Sequence, residues 1–243
     1  MKSKYIILFF KILLLLCAVV FFLFLAMMIF YVAFGGQRAY SVNQPLSEFE
    51  TSTDEIKLRK LEKLFVVGDF NGSGVIDTVF QHNYSKLLKA EIDSSACPFQ
   101  NDWETVICWF INQDANVYLV LNNNETDTLH LGLAQGLYCL VNIGDINSDG
   151  KDEIALVIDY LDWSSVNSCQ IYTLCDNKWT LLQQFAIHEM AFDFVGEQSP
   201  VFSDIKGYLE KHSGTWLYLD YLEYMNVETD SVKMKPLILK KCE

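Results

Sequence analysis

The chain has 243 residues, 51% of them apolar and 20% charged, with 18 basic against 31 acidic side chains. That acidic balance repels phosphate backbones and favours cations, which argues against nucleic acid as a partner. With 17 Phe, 12 Tyr and 5 Trp, low complexity and disorder are excluded for most of its length.

Lys2, Lys4 and Lys11 lead into an unbroken apolar run from Ile12 to Phe34. At about 1.5 Å per residue a helix of this length reaches about 34 Å, enough for a hydrocarbon core of about 30 Å. A secretory signal usually has an apolar core of only about 7–15 residues. The lysines precede the run and only Arg38 follows closely, so the positive-inside bias places residues 1–11 in the cytoplasm. Residues 12–34 are then a transmembrane helix and the rest is extracytoplasmic, giving a single-pass protein of the cell membrane. Cleavage near Gly35-Gly36 and lipid attachment at Cys17 are the alternatives; the bulky Leu16 opposes the second.

Residues 35–60 are polar, acidic and short of aromatics, and read as a stalk; residues 61–243 read as the folded domain. Ile56 to Leu64 fits either a short helix or a first strand. Beyond it, short runs of β-branched and aromatic residues alternate with Asn/Asp/Gly/Ser clusters, the pattern of strands joined by turns. The expected strands are Val106–Ile111, Val117–Leu121, Ile154–Tyr160, Gln170–Leu174, Trp179–Phe185 and Trp216–Tyr221. Asp176-Asn177-Lys178 and His212-Ser213-Gly214 have hairpin-turn chemistry. Ser203 to Lys211 has room for a helical turn or two. The fold class expected is mostly β and antiparallel, a small propeller-like or β-meander domain behind a single transmembrane helix.

Two stretches 76 residues apart share the form G-D-x-N-x-[DS]-G-x-x-[DE]: Gly68 to Asp77 and Gly144 to Glu153. Calcium takes about 6–8 hard oxygen ligands at about 2.3–2.6 Å, so one short loop must turn alternate side chains inward. In the second stretch Asp145, Asn147 and Asp149 occupy positions one, three and five. Gly150 permits the turn, Lys151 offers its backbone carbonyl, and Glu153 closes the site. The first stretch offers Asp69, Asn71, Ser73, the carbonyl of Val75, and Asp77. Ser73 stands where the second loop has an acid, so this site is expected to bind more weakly. An EF-hand closes with an acid at position twelve, where these loops carry Leu156 and Phe80, and strand-like sequence follows instead of a helix.

The two stretches resemble the nine-residue calcium loops of FG-GAP and VCBS-type repeats, found between adjacent strands of integrin-alpha-like β-propeller blades. From about Gly136 to Glu189 the chain also resembles a family of uncharacterised bacterial secreted or membrane-anchored proteins, in which one such loop leads into a Trp-containing β-meander. The resemblance implies Ca²⁺ as cofactor and an extracytoplasmic setting; it implies no catalytic activity. Two loops are too few for a seven-bladed ring in a domain of this size.

Six cysteines outside the membrane run suggest disulfides in an oxidising compartment. If Cys169 to Cys175 is one continuous strand, its ends lie roughly 20 Å apart and cannot pair with each other. The four histidines lack metal-ligand spacing, and neither a C-x-x-C, a G-x-S-x-G nor a phosphate-binding glycine loop occurs. Trp109, Trp179 and Trp216 look like core-facing strand positions, whereas Asp162 and Trp163 mark a possible ligand surface beyond the second loop. The leading expectation is a non-catalytic, membrane-anchored calcium-binding module, binding or scaffolding at the cell envelope, with an envelope protein or glycan as partner. The alternatives are an envelope glycan hydrolase, with Asp159, Asp162 and Glu189 as its least explained acids, and an inhibitor or receptor module for a protein partner.

Overall fold

The computed structural model describes residues 55–122, 127–162, 164–192, 203–225 and 233–242. The expected cytoplasmic segment, the transmembrane helix 12–34 and the stalk up to residue 54 lie outside the described residues. No helix among the described residues is long and apolar enough to cross a membrane. The compact unit runs Glu55–Glu243, so the end of the expected stalk, Leu58–Lys60, belongs to it as β1.

All strand pairs are antiparallel. The first sheet runs β2 (Phe65–Gly68), β3 (Asp77–Ser85), β6 (Ala115–Leu121), β7 (Leu129–Gly132), with β4 (Ala90–Glu91) pairing onto β3. The second is an uninterrupted meander of β8 (Ala134–Gly144), β9 (Glu153–Tyr160), β10 (Val166–Cys175) and β11 (Lys178–His188). A third small sheet joins β12 (Leu209–His212), β13 (Thr215–Tyr218) and β14 (Lys235–Pro236), and β1 pairs with β5 (Ser94–Ala96). The two sequence repeats therefore have a structural counterpart. In each large sheet the repeat connects the first strand to the second, and the next neighbour in the sheet follows. In the first sheet a segment carrying β4, β5 and helix α1 (Trp103–Asn112) is inserted between β3 and β6.

Strand β6 shows the period-two alternation of a half-buried strand, with Ala115, Val117, Leu119 and Leu121 inward. Strand β9 does not alternate, because it is buried on both faces. Ile154, Leu156 and Ile158 enter a core with Val79, Val117, Leu119 and Phe70 of the first sheet and its loop. Ala155 and Val157 enter a second core with Phe185, Ile187, Leu209, Leu237 and Leu239. The second sheet is thus the middle layer, covered by the first sheet on one face and by the C-terminal elements on the other. Both expected hairpin turns form, with positive φ at Asp176, Asn177, Ser213 and Gly214.

Four expectations need correction. Val106–Ile111 lies within helix α1, whose N-cap Asp102 accepts from the Thr105 N–H at 2.8 Å and which buries Val106 and Phe110, four positions apart. The β-branched content of this run suggested a strand; the cap and the four-residue spacing decide for helix. Trp109 consequently sits on a helix, beside the smaller core formed by Leu61, Ile92, Val106 and Phe110. Ser203 to Lys211 forms no helical turn: Ile205 bridges to Leu209 and β12 begins there. Strand β13 ends at Tyr218, and Tyr221 opens a short helix α2 (Tyr221–Met225).

Candidate metal centre

Each repeat closes as a hairpin loop in the same register. Gly68 pairs with Asp77 and Gly144 pairs with Glu153, so the last acid of the motif stands opposite the glycine before the first. The second residue of each loop points inward as an anchor. Phe70 is fully buried in the first core, and Ile146 packs on the second.

The loops match bond for bond. Asp145 accepts from the N–H groups of Asp149 and Gly150, both at 3.0 Å, and Asn147 Oδ1 accepts from Asp149 N–H at 2.9 Å. In the other loop Asp69 accepts from Ser73 at 3.0 Å and Gly74 at 2.8 Å, and Asn71 Oδ1 accepts from Ser73 at 2.8 Å. Position five caps position seven in both: Asp149 Oδ1 takes the Lys151 N–H at 3.0 Å and Ser73 Oγ the Val75 N–H at 3.2 Å. Positions four and six take positive φ, as Ser148 and Gly150 in one loop and Gly72 and Gly74 in the other. Such Asx-type bonds hold the oxygens of positions one, three and five toward one point.

In the second loop Asp145, Asp149 and Glu153 each bring a carboxylate oxygen within 4.8 Å of the others. That spread matches oxygens around one sphere of about 2.3–2.6 Å radius. An acidic cluster alone means little, but Glu153 adds an independent sign. It is fully buried; one oxygen accepts the Ile146 N–H at 2.7 Å and the other, Oε1, has no hydrogen-bond partner among the described residues. The Thr173 hydroxyl lies beside it, near enough to act electrostatically but outside hydrogen-bond geometry. Burial pushes the Glu153 carboxyl up to about 7, and the charges of Asp149 and Asp145 add to this against the opposing Ile146 N–H and Thr173. A buried, half-satisfied carboxylate facing two others is an arrangement that a cation compensates. Among the described residues the donors are all oxygen, with no His or Cys, which suits a hard cation and not a thiolate- or imidazole-seeking one. Lys151 turns its ammonium away to the Leu174 carbonyl at 2.7 Å.

The first loop is the poorer version. Asp77 is buried with Oδ2 unpartnered among the described residues, and burial followed by the charge of Asp69 raises its carboxyl above its ordinary value. Ser73 supplies no third carboxylate.

The two loops are docked on one another, which sequence gave no means of seeing. Asp152 donates its N–H to Asp69 O at 2.9 Å, and its carboxylate accepts the Asp69 N–H at 3.1 Å. Asn142 Nδ2 bridges the same carboxylate and Val67 O, both at 2.8 Å. The approach is close enough that a Cβ on Gly68 would sit 2.3 Å from Asn142 Nδ2.

Of the other candidates, Asp162 accepts from the Ser164 N–H at 3.0 Å in a surface turn, and Trp163 lies outside the described residues. Asp159 is committed inside the protein. It faces Arg59 at 3.8 Å, accepts from Gln135 Nε2 at 2.9 Å and is hydrogen-bonded to Tyr138. Arg59 reaches it from β1, so the ion pair ties the start of the unit to the middle sheet. Trp179 and Trp216 pack on the two cores as expected, and Trp216 Nε1 donates to Ile143 O at 2.7 Å.

Cys169 and Cys175 lie on one strand and do not pair; Cys175 is bonded to Cys242, 67 residues away. Cys97, Cys139 and Cys169 are buried thiols and Cys108 is half-buried. Cys139 and Cys169 stand opposite Val157 from either side, so a whole strand separates them.

In comparisons with protein-family models, with curated proteins and with solved structures, nothing matches this chain.

Proposed function

We propose that this chain is a membrane-anchored, extracytoplasmic calcium-binding β module that acts without catalysis, as a binding or scaffolding domain of the cell envelope. The observation that carries the reading is the buried Glu153 carboxylate, with Oε1 unpartnered and two further carboxylates within 4.8 Å. Asp145, Asn147, Asp149 and Glu153 supply side-chain oxygens and Lys151 its carbonyl; Asp69, Asn71, Ser73, Val75 and Asp77 form a weaker counterpart. The accompanying fold reading is a small propeller-like stack, supported by two meanders that carry the same loop between their first and second strands and pack face to face. The anchor reading rests on the apolar run Ile12 to Phe34 and its preceding lysines.

The hydrolase reading finds no support in Asp159, which is buried and paired with Arg59. The deciding experiment is calcium titration of the full chain in detergent micelles, followed by calorimetry and thermal unfolding. Saturable binding with a raised Tm, lost in Glu153→Ala, is the expected result. No binding at millimolar calcium reduces both loops to self-satisfied acidic turns and removes the proposal.

A further inference from the structure

The second loop is not built from its own hairpin alone. Strand β14 pairs with β13, and the chain beyond it, Leu237 to Cys242, crosses the open face of the middle sheet. Leu237 donates its N–H to Trp216 O at 2.8 Å, and Leu237 and Leu239 are buried in the second core. The strap then meets the loop at two consecutive residues and the neighbouring strand β10 at the next. Lys240 O accepts from Asn147 Nδ2 at 3.2 Å, Lys241 Nζ donates to Ser148 O at 2.6 Å, and Cys242 is bonded to Cys175. Cys175 is itself next to the loop, since Leu174 O holds Lys151 Nζ and Thr173 lies under Glu153.

Asn147 is the ligand type that most needs such help. A carboxylate presents an oxygen whichever way it rotates, whereas an amide rotated by half a turn presents its NH₂ to the cation. Asn147 is buried, and its Nδ2 spends its hydrogen bonds on Lys240 O and on Asp149 Oδ2 at 3.2 Å. Together with the Asp149 N–H on Oδ1 at 2.9 Å, that fixes the oxygen on the loop side, and Lys240 O is the one of these partners that comes from outside the loop. We propose that the C-terminal strap is a positioning part of the calcium centre: the Lys240 carbonyl sets the Asn147 amide, and the Cys175–Cys242 bond holds that carbonyl in place. Loss of the bond then weakens calcium binding at this loop. The inference rests on the calcium reading above.

Outer-shell partners of metal ligands typically carry about 10–100-fold in affinity, and the lower end is expected here because only one ligand is affected. The test is a double-mutant cycle on the full chain in detergent micelles, reading the calcium dissociation constant by calorimetry. Cys242→Ser is expected to weaken binding about tenfold in the wild-type background. In an Asn147→Asp background, where the ligand needs no amide orientation, Cys242→Ser is expected to change affinity less than twofold. Equal effects in both backgrounds, or a lower calcium-free Tm with unchanged affinity, overturn the strap's role and leave it a structural staple. Should Cys242→Ser not fold, the folded wild type is treated with dithiothreitol, which is oxidised to its cyclic disulfide as it returns Cys175 and Cys242 to thiols, and the same comparison is made. Glu153→Gln separates the two levels. Binding that survives in Glu153→Gln defeats the calcium assignment itself, whereas binding lost there but indifferent to Cys242 defeats only the strap.

Discussion

Replacing Glu153 by Gln keeps the shape of the side chain and its acceptor for the Ile146 N–H, while it removes the charge and exchanges the second oxygen for a neutral NH₂. Without calcium this charge is a cost to the fold, because burial raises the Glu153 carboxyl from its ordinary 4.5 to about 7. The shift at full weight corresponds to about 3.4 kcal/mol for the ionised form. The mouth of the loop is solvated, with Asp145 exposed and Asp149 half-buried, so screening reduces this to about 1–2 kcal/mol. In mildly alkaline buffer with a chelator, Glu153→Gln is therefore expected to be more stable than wild type, by about 2–8 °C in Tm for a unit of this size. Calcium reverses the order. At about a hundred times the dissociation constant it adds about 2.7 kcal/mol to the wild type, more than the cost of the buried charge, and nothing to the variant. Thermal unfolding of both proteins with and without calcium reads the crossing directly. A variant less stable than wild type in chelator, with an intact calcium response, would show that Glu153 serves only as an internal acceptor and would refute the charge argument.

Other perturbations probe the neighbouring elements. Ser73→Asp gives the first loop its missing third carboxylate on a backbone that already holds position five as in the second loop; calorimetry is expected to show affinity there rising about tenfold, as ligand charge count dictates, and an unchanged affinity counts against that loop as a site. Gly68→Ala drives a Cβ to 2.3 Å from Asn142 Nδ2 and 2.5 Å from Asp152 Oδ2, so denaturant unfolding is expected to show a loss of about 1–3 kcal/mol. Asp102→Ala removes the cap of α1 and is expected to cost about 1 kcal/mol; no change would mean the Thr105 bond is idle. The Asp159 carboxyl, pushed up to about 6 chiefly by burial, is expected to titrate near there by NMR instead of near its ordinary value. Because its folded value is raised, its contribution to stability is present below about pH 4 and is lost as pH rises to about 6; a midpoint at or below about 4 would mean that Arg59 outweighs burial.

What could be read from sequence was what is local. The two loops were visible because a hairpin loop carries its ligands, its glycine turn and its closing acid within ten consecutive residues. The turns at Asp176-Asn177 and Ser213-Gly214 were visible for the same reason, and β6, β9, β10 and β11 because each is a run of β-branched and apolar residues. Strand β8 escaped notice because Gln135, Gly136 and Asn142 interrupt its apolar pattern. Two of these serve long-range contacts, Gln135 with Arg59 and Asp159 and Asn142 with Val67 and Asp152. Helix α1 was mistaken because Val106, Ile107 and Ile111 favour strands on propensity, while the burial of Val106 and Phe110 against Leu61 and Ile92 favours helix. No local pattern pairs Cys175 with Cys242; that bond follows from where the strap crosses the middle sheet.

The position of the second loop in the stack bears on what a bound cation does. Through Asp152 the loop holds Asp69 in the loop between β2 and β3; through Lys151 and Glu153 it meets Leu174 and Thr173 of β10 in the middle sheet; through Asn147 and Ser148 it holds the strap that covers the other face. All three layers thus meet around one group of mutually repelling carboxylates. If a cation binds there, removing it would leave that repulsion at the junction, where the contacts between layers, and not the hydrogen bonds within each sheet, would bear it. A cation bound at this point would act as a clamp between layers, so its loss would bear on the cooperativity of the whole unit more than on the order of one hairpin. The net negative charge of the chain works in the same direction, since it would concentrate divalent cations near a loop where polar contacts between the layers already gather.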